Sequence, residues 1–236
     1  MKLSIIIPVY NEEKTLNEII KKVLNSDIKE IGKEIIMVDD SSSDKSYDIA
    51  KKLEKEHKEI IVIKNSENKG KGYSIKEGLK KVTGDIVIIQ DADLEYDPND
   101  YYKIIEPIAN NKTNIVYGSR YKKRHSQERK YYMSWLGTQI LTLIANILYS
   151  IRITDESTCY KAFKTETLKS IKLESERFGF CPEVTGKLSR KVNKIIEVPI
   201  NYKPRSFEEG KKINWKDGFE AIWILIKYRF KKYKYL

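Results

Sequence analysis

The amino-acid sequence predicts an α/β fold built on a doubly wound, mainly parallel β-sheet flanked by helices. Two observations support this prediction. Short runs of β-branched and aliphatic residues alternate with segments whose apolar residues recur at helical spacing, as in repeated βα units. Carboxylates stand at the ends of two of the runs, Asp39 directly after Val38 and Asp91 two residues after Ile89. Because ligands of doubly wound sheets bind at the carboxyl ends of the strands, these acids mark the edge where a site is expected.

The first half of the chain contains five predicted strands joined by helices. The strands are the apolar runs at residues 3–9, 34–38, 60–63, 86–89 and 114–118. Four helices are predicted from apolar residues three or four positions apart: Leu16, Ile19, Ile20 and Val23; Tyr47, Ala50 and Leu53; Ile75, Leu79 and Val82; Tyr101, Ile104, Ile105 and Ile108. Cap-type residues at 41–44, the glycines of 70–72 and Pro98 indicate where the last three helices begin.

The second half of the chain is less regular. Residues 131–150 form an amphipathic segment whose apolar stretch is interrupted by Gln139 and Asn146, so it is too polar to cross a bilayer. Either a buried core helix or a helix resting on a membrane explains it. A late strand is predicted at 195–200 and a helix from about Trp215. We therefore expect one domain over residues 1–214, with a C-terminal helix and a basic, aromatic tail over 215–236.

Charge is distributed unevenly along the chain, whose net charge is +11. Residues 1–118 carry 19 lysines and 22 acidic residues, a net charge of −3, and the remainder carries +14. A nucleic-acid-binding chain usually shows a basic face throughout, so phosphate chemistry or an anionic membrane surface is the better interpretation. Cys159 and Cys181 lack metal-type spacing and no signal peptide precedes them, which favours the reducing cytoplasm.

Asp91-Ala92-Asp93 is the strongest single motif, because it closes the apolar run at residues 86–89. In extended backbone, residues i and i+2 point to the same side, so the two carboxylates can face one ion together. Mg²⁺ and Mn²⁺ prefer such oxygen ligands and commonly complete their shell with substrate phosphates. A solvated acidic turn at a strand end is the alternative. A metal site predicted here would therefore bind a nucleoside diphosphate.

Five short motifs together resemble a known family. They are Pro8-Val9-Tyr10-Asn11-Glu12, Val38-Asp39-Asp40-Ser41, Gly84-Asp85, Asp91-Ala92-Asp93 and Gly118-Ser119-Arg120. In this order and spacing the chain resembles a family 2 glycosyltransferase of the GT-A fold, and within it the dolichyl- or polyprenyl-phosphate sugar synthases. The resemblance covers nearly the whole chain.

The resemblance implies roles for particular residues. The nucleotide-sugar donor would contact Pro8, Tyr10, Glu12, Val38, Asp40, Asp91, Ala92, Asp93, Arg120, Arg205 and Lys211. Asp91 and Asp93 would hold Mg²⁺ or Mn²⁺, with Glu95 as a third ligand where the lipid-phosphate synthases often have Gln. Arg205 and Lys211 would lie in a mobile loop that closes over the diphosphate, where Arg grips phosphate bidentately and Lys acts as a point charge.

Asp155 is open to two interpretations. Relatives that glycosylate a hydroxyl need an acidic residue near this position as a base, because a hydroxyl is a poor nucleophile at neutral pH. A phosphate acceptor is already anionic, and Asp155 would then only order the basic acceptor pocket. Asp93, Arg120 and Asp155 are the predicted catalytic residues under either interpretation. Glu183 is similarly open, as an acid at the acceptor or as a helix cap.

The resemblance implies a metal-dependent, inverting transfer of a hexose from a nucleotide sugar of the GDP-mannose or UDP-glucose type to polyprenyl or dolichyl phosphate. We expect the enzyme to be peripheral on the cytoplasmic face of the membrane, with no nucleic-acid partner. One alternative is a family 2 enzyme that acts on a glycan hydroxyl of a cell-surface polysaccharide with Asp155 as base. Another is a basic membrane- or nucleic-acid-binding module without catalysis. A nicotinamide-dependent oxidoreductase is excluded, because no Gly-x-Gly-x-x-Gly follows the first strand.

Overall fold

The computed structural model describes residues 1–122, 132–192, 194–205 and 215–231. The described residues form seven strands: β1 Lys2–Val9, β2 Gly32–Asp39, β3 Ile60–Lys64, β4 Ile86–Ile89, β5 Ile115–Ser119, β6 Lys161–Lys164 and β7 Ile196–Pro199. They also form eight α-helices: α1 Leu16–Asn25, α2 Ser46–Glu56, α3 Lys71–Leu79, α4 Tyr101–Ala109, α5 Tyr132–Tyr149, α6 Thr165–Lys169, α7 Phe180–Leu188 and α8 Trp215–Phe230. A 3₁₀ turn at Pro98–Asp100 precedes α4.

The strands join into one sheet in the order β3-β2-β1-β4-β6-β5-β7. All neighbours pair in parallel except β6, which runs antiparallel to both β4 and β5. The prediction of an α/β, doubly wound and mainly parallel sheet is therefore confirmed. The sequence analysis missed β6, α6 and α7, and the predicted domain boundary at residue 214 lies outside the described residues.

Alternation along the strands divides the core between the two faces of the sheet. Ile5 of β1 and Met37 of β2 face a layer formed by α1, α2 and α4. Ile6 of β1 and Val38 of β2 point to the opposite face, where α3 and α7 pack. Since successive side chains of a strand point to opposite faces, a run that is apolar at every position requires cover on both sides. Helices on both faces therefore hold the sheet in place, and the carboxyl ends of its parallel strands lie together at one edge.

Helices α5 and α8 pack against each other beside the main core. Leu141, Ala145 and Tyr149 of α5 contact Ala221 and Leu225 of α8. The other side of each helix is apolar and exposed. One face of α5 is therefore part of a core and the opposite face is exposed. The interpretation as a helix that rests on a membrane stays a prediction. Neither α5 nor any other helix in the described ranges is long and apolar enough to cross a membrane.

A buried ion pair anchors α8 to α7. Glu183 and Lys187 of α7 pair in the interior, and Glu183 also accepts backbone hydrogen bonds from Glu174 (2.7 Å) and Ser175 (2.8 Å). The Tyr228 hydroxyl of α8 donates to Glu174 Oε2 at 2.8 Å. A buried charge is stable only when it is paired and hydrogen-bonded, and all of these contacts meet that need. Glu183 therefore stabilises the fold in this structure.

Candidate active site at the carboxyl ends of the strands

The carboxyl ends of β1, β2 and β4 meet at one edge of the sheet, as the sequence predicts. Asp91 and Asp93 follow β4, and Leu94 beside them has a left-handed backbone conformation with φ of 62°. This conformation is uncommon outside glycine and turns the chain sharply, so that Glu95 follows in the same region. Ala92 lies buried between the two acids. The predicted acidic motif thus forms a tight turn at the expected edge.

Lys71, at the start of α3, is the ion-pair partner of Asp91. Its ammonium group also donates to Cys159 Sγ at 3.0 Å. Burial opposes both charges, but the pairing outweighs it: Asp91 raises the pKa of Lys71, and Lys71 lowers the pKa of Asp91. Sequence reasoning assigned no such role to Lys71, although its place between two glycines at a helix start was a signal.

The glycines around Lys71 are required by close packing. Gly70 has φ of 93°, which favours glycine, and a Cβ at Gly72 would lie 2.4 Å from the Ser175 carbonyl oxygen. The backbone N–H groups of Gly72 and Tyr73 donate to the carbonyls of Arg177 and Glu176 at 3.0 and 2.9 Å. Because protein carbonyls already accept these hydrogen bonds, the start of α3 positions Lys71 and does not form a phosphate cradle.

Arg205 connects two parts of the site that are far apart in the chain. Its guanidinium donates to Asp93 Oδ2 at 2.9 Å and to Glu12 Oε2 at 3.1 Å. Glu95 accepts from the Arg205 backbone N–H at 2.8 Å and from the Tyr202 hydroxyl at 2.9 Å. Four residues of the predicted donor site or metal site, from three distant segments, are therefore in direct contact.

The chemistry of this edge fits a divalent cation. Asp91 pairs with Lys71, Asp93 and Glu12 pair with Arg205, and Glu95 accepts from the Arg205 backbone N–H, so four carboxylates gather at one edge of the sheet. Carboxylate oxygens are the ligands that Mg²⁺ and Mn²⁺ prefer. Burial, and then the neighbouring Asp91 and Glu95 carboxylates, raise the pKa of Asp93 to about 7. A cation near Asp93 would relieve this repulsion.

A complete protein cage for a metal is not formed. No three His, Cys, Asp or Glu side chains converge as a ready metal site in the described ranges. Lys71 pairs with Asp91, Arg205 pairs with both Asp93 and Glu12, and the Tyr202 hydroxyl donates to Glu95. Mg²⁺-type sites are commonly held by one or two carboxylates, with water and substrate phosphate completing the shell. The residues therefore fit such a site, and Glu95 as third ligand stays a prediction.

Arg120 and Asp155 form a second, separate pair. Arg120 Nε and Nη2 each donate to Asp155 at 2.7 Å, and the Arg120 backbone N–H donates to Asp155 Oδ2 at 3.0 Å. The guanidinium also lies 5.0 Å from the centre of the Tyr202 ring. Asp155 is fully buried, with 0% of its surface exposed. In this conformation the carboxylate orients Arg120 and is not accessible to an acceptor hydroxyl.

Asp40 is engaged by protein groups. Its carboxylate accepts from Asn65 Nδ2 at 2.7 Å and from the backbone N–H groups of Lys69 (3.1 Å) and Gly70 (2.6 Å). It thereby fixes the loop that leads into α3 and Lys71. Asp39 accepts from the Ser42 N–H at 3.2 Å, which is the local turn contact expected for it. Contact between Asp40 and a base or ribose stays a prediction.

The remaining predicted residues fall into three groups. Tyr10 is exposed and Pro8 half-buried at the end of β1, where a ligand can reach them. Val38 is fully buried in β2, so only its backbone can face a ligand. Lys211 and most of the predicted mobile loop lie outside the described residues. Their roles stay predictions.

A family-level comparison matches most of this chain. The sequence model described as "Glycosyl transferase family 2" matches residues 4–172. This span begins within β1, contains β2 to β6 and all the motifs that suggested the family, and ends before α7 and α8.

Two curated relatives show the same resemblance. A UDP-N-acetylglucosamine–dolichyl-phosphate N-acetylglucosaminyltransferase from Methanococcus voltae is 31% identical over 239 residues, covering 94% of each chain. A dolichol-phosphate mannosyltransferase from Pyrococcus furiosus is 30% identical over 224 residues and 94% of this chain. The present chain spans only 62% of the length of that relative.

A solved structure supports the fold. Glucosyl-3-phosphoglycerate synthase from Mycobacterium tuberculosis, in complex with Mn²⁺, UDP-glucose and phosphoglyceric acid, superposes with a TM-score of 0.71 at 16% identity. The match covers 96% of this chain and 78% of that one. At this identity the likeness concerns the fold alone. The family match over residues 4–172 and the relative that is 31% identical over 94% of each chain show that this chain belongs to glycosyltransferase family 2.

Proposed function

We propose that the protein transfers a hexose from a nucleotide sugar to polyprenyl or dolichyl phosphate, with inversion at the anomeric carbon. The observation that carries the proposal is the cluster of Glu12, Asp93, Glu95 and Arg205 at the carboxyl edge of the sheet. Carboxylates there suit a metal–diphosphate complex, and the arginine suits the diphosphate itself. The named lipid-phosphate acceptors of the two relatives support this choice of acceptor.

Asp91 and Asp93 would hold Mg²⁺ or Mn²⁺, with Glu95 close by. When bound, the metal would neutralise the leaving nucleoside diphosphate. The Mn²⁺ in the complex of the mycobacterial synthase supports a divalent ion of this kind. Lys71 keeps the Asp91 carboxylate ionised and fixed, and Arg205 would bind the diphosphate. These residues orient the leaving group against the acceptor, and such preorganisation supplies much of the rate enhancement in transfer reactions.

Arg120 would hold the acceptor phosphate or the donor diphosphate, with Asp155 orienting its guanidinium. A phosphate oxygen is already anionic and attacks without a base, so an inaccessible Asp155 is compatible with this acceptor. The alternative acceptor, a glycan hydroxyl, would need Asp155 to leave Arg120 and become exposed. The ion pair with 2.7 Å contacts favours the phosphate acceptor.

The reaction can be tested directly with a panel of labelled sugars. Purified protein, membrane lipid extract and Mg²⁺ or Mn²⁺ would be incubated with labelled GDP- and UDP-linked hexoses, and the label in the organic phase measured. We expect one sugar to enter a lipid that releases it under mild acid, and none to do so in chelator. Label that enters only water-soluble glycan would favour the hydroxyl acceptor, and no transfer from any donor would contradict the proposal.

The anionic membrane surface is the proposed second partner. Helices α5 and α8 expose apolar residues, among them Ile147 at 70% and Trp223 at 63%. A contiguous exposed apolar surface is typical of an interaction site. Lys227 and Arg229, in the last turn of α8, are suited to anionic lipid headgroups. A peripheral position on the cytoplasmic face would bring the site to its lipid acceptor.

Replacing Trp223 by serine should weaken binding to anionic liposomes, because it removes an exposed indole ring of α8. Trp223 is exposed, so we expect the variant to fold as the wild type does. Ile61→Ser is the control, because it replaces an apolar residue of β3 that is 37% exposed. Flotation with anionic and neutral vesicles at low and high salt measures the effect. Equal flotation of wild-type and Trp223→Ser protein would exclude α8 as the membrane contact. Truncation at 227 is unsuitable because it removes buried Tyr228.

A further inference from the structure

The position of the Arg205 guanidinium raises a question about the order of binding. It lies between Glu12 and Asp93, with Nη2 2.9 Å from Asp93 Oδ2 and Nη1 3.1 Å from Glu12 Oε2. Asp93 is one of the two carboxylates that would hold the metal. A guanidinium and a divalent cation that contact the same carboxylate oxygen weaken each other's binding, because the two positive charges repel each other.

The backbone around Arg205 is fixed independently of its side chain. The Arg205 N–H donates to Glu95 Oε1 at 2.8 Å, and the Lys203 N–H donates to the Glu95 carbonyl at 2.9 Å. Tyr202 pairs with Tyr96 in an isolated β-bridge. Because these contacts tie the backbone to the turn after Asp93, a change in the guanidinium's partner needs only side-chain rotation.

We infer that Arg205 substitutes for the metal at Asp93 in the metal-free protein and exchanges this partner for the donor diphosphate when the metal binds. The inference rests on the proposed function and adds to it a coupling between two ligands. Arg205 neutralises Asp93 while the site is empty, and its backbone is tied to the same edge of the sheet, where the diphosphate would be held. The residue thus has two successive anionic partners.

The exchange makes metal and diphosphate binding cooperative. A diphosphate that attracts Arg205 frees Asp93 for the metal, and a metal on Asp93 frees Arg205 for the diphosphate. By thermodynamic linkage the two effects are equal in size. In the absence of a diphosphate, the metal should therefore bind more weakly to the wild-type protein than to a protein that lacks the Arg205 guanidinium.

Mn²⁺ binding to the protein without nucleotide tests this competition. Free Mn²⁺ would be measured by electron paramagnetic resonance in titrations of wild-type protein, Arg205→Gln, Arg205→Lys and Lys203→Gln. Lys203→Gln is the matched control, since it removes one exposed positive charge two residues away without touching a carboxylate contact given above. We expect Arg205→Gln to bind Mn²⁺ more tightly than wild type, on the order of 5- to 150-fold for a coupling of ordinary size. The Mn²⁺ affinity of Arg205→Lys should lie between those of wild type and Arg205→Gln, and that of Lys203→Gln should be close to wild type.

Equal or weaker Mn²⁺ affinity in Arg205→Gln, with an unchanged melting temperature, would overturn the exchange, as would equal gains in Arg205→Gln and Lys203→Gln. Absence of Mn²⁺ binding in every variant would overturn it as well. The sugar-transfer assay separates this result from the proposed function. A tighter Mn²⁺ site in Arg205→Gln supports the exchange even if no sugar reaches lipid phosphate, and normal sugar transfer with unchanged Mn²⁺ affinity rejects the exchange alone.

Discussion

Asp93→Ala should abolish sugar transfer while leaving the protein folded, and Asp91→Ala should be nearly as severe. Both changes remove a predicted metal ligand at the carboxyl end of β4, and Asp93→Ala also removes the contact with Arg205. The loss of activity is measured as the turnover rate at saturating Mg²⁺ and Mn²⁺, with the donor that the labelled-sugar panel identifies. Asp93→Asn is the matched variant, since it keeps the shape and removes the charge. Substantial activity in either alanine variant, or in wild type with excess chelator, would contradict a metal role for this pair.

The same residue predicts a pH dependence of stability in metal-free buffer. Burial and the neighbouring carboxylates raise the pKa of Asp93 to about 7, whereas an unfolded Asp titrates near about 3.9. Between these values the folded state binds more protons than the unfolded state, so the free energy of unfolding falls as pH rises. Wild type should therefore lose more stability than Asp93→Ala between pH 5 and pH 8. If the melting temperatures of the two proteins in chelator change equally between these two pH values, the prediction is contradicted.

Asp155→Ala should destabilise the protein by about 3–5 kcal/mol and eliminate most activity, because it leaves the Arg120 guanidinium without its buried counter-charge. Chemical denaturation measures the loss of stability. In a double-mutant cycle with Arg120→Met, the combined change should cost clearly less than the sum of the single changes.

Asp155 as a base predicts a different result. Asp155→Asn would then remove activity at unchanged stability, and the pH–rate profile of wild type would show an acidic limb that a phosphate acceptor does not need. Additive effects of Arg120→Met and Asp155→Ala on stability would also contradict the positioning role.

Much of the sheet could be predicted because its strands carry a local pattern. β1, β2 and β4 each contain a run of apolar, mostly β-branched residues, which is the composition expected when both faces of a strand are covered. β6 could not be predicted in this way. It has four residues and begins with Lys161, which is typical of a surface position but is fully buried, with its ammonium donating to the Thr158 carbonyl at 2.7 Å. A cation satisfied by backbone carbonyls leaves no apolar signature in sequence.

The candidate site was predictable in its acids and less so in its cations. Asp91 and Asp93 follow a strand, so their edge of the sheet is determined locally. Lys71 and Arg205 reach the same acids from positions 20 and 112 residues away, and those contacts depend on how the sheet and its loops fold together. The loop contacts of Asp40 likewise depend on the fold, since Asn65 and the Gly70 N–H that donate to it are 25 and 30 residues away. Its contact with the donor, which the resemblance implies, stays a prediction.

The anchor between α7 and α8 also relates the proposed membrane surface to the chemistry. Near the C-terminal end of α7, Tyr228 and the Glu183–Lys187 pair hold α8 against it. At the N-terminal end of α7, the Cys181 thiol donates to the Thr158 carbonyl at 3.5 Å. Thr158 precedes Cys159, whose thiol accepts a hydrogen bond from Lys71. If α8 rests on lipid, this rigid connection sets the height of the sugar-transferring edge above the bilayer. A substitution at Glu183 would then reduce transfer to a lipid acceptor without ever meeting lipid or sugar, by letting the enzyme sit at the wrong distance.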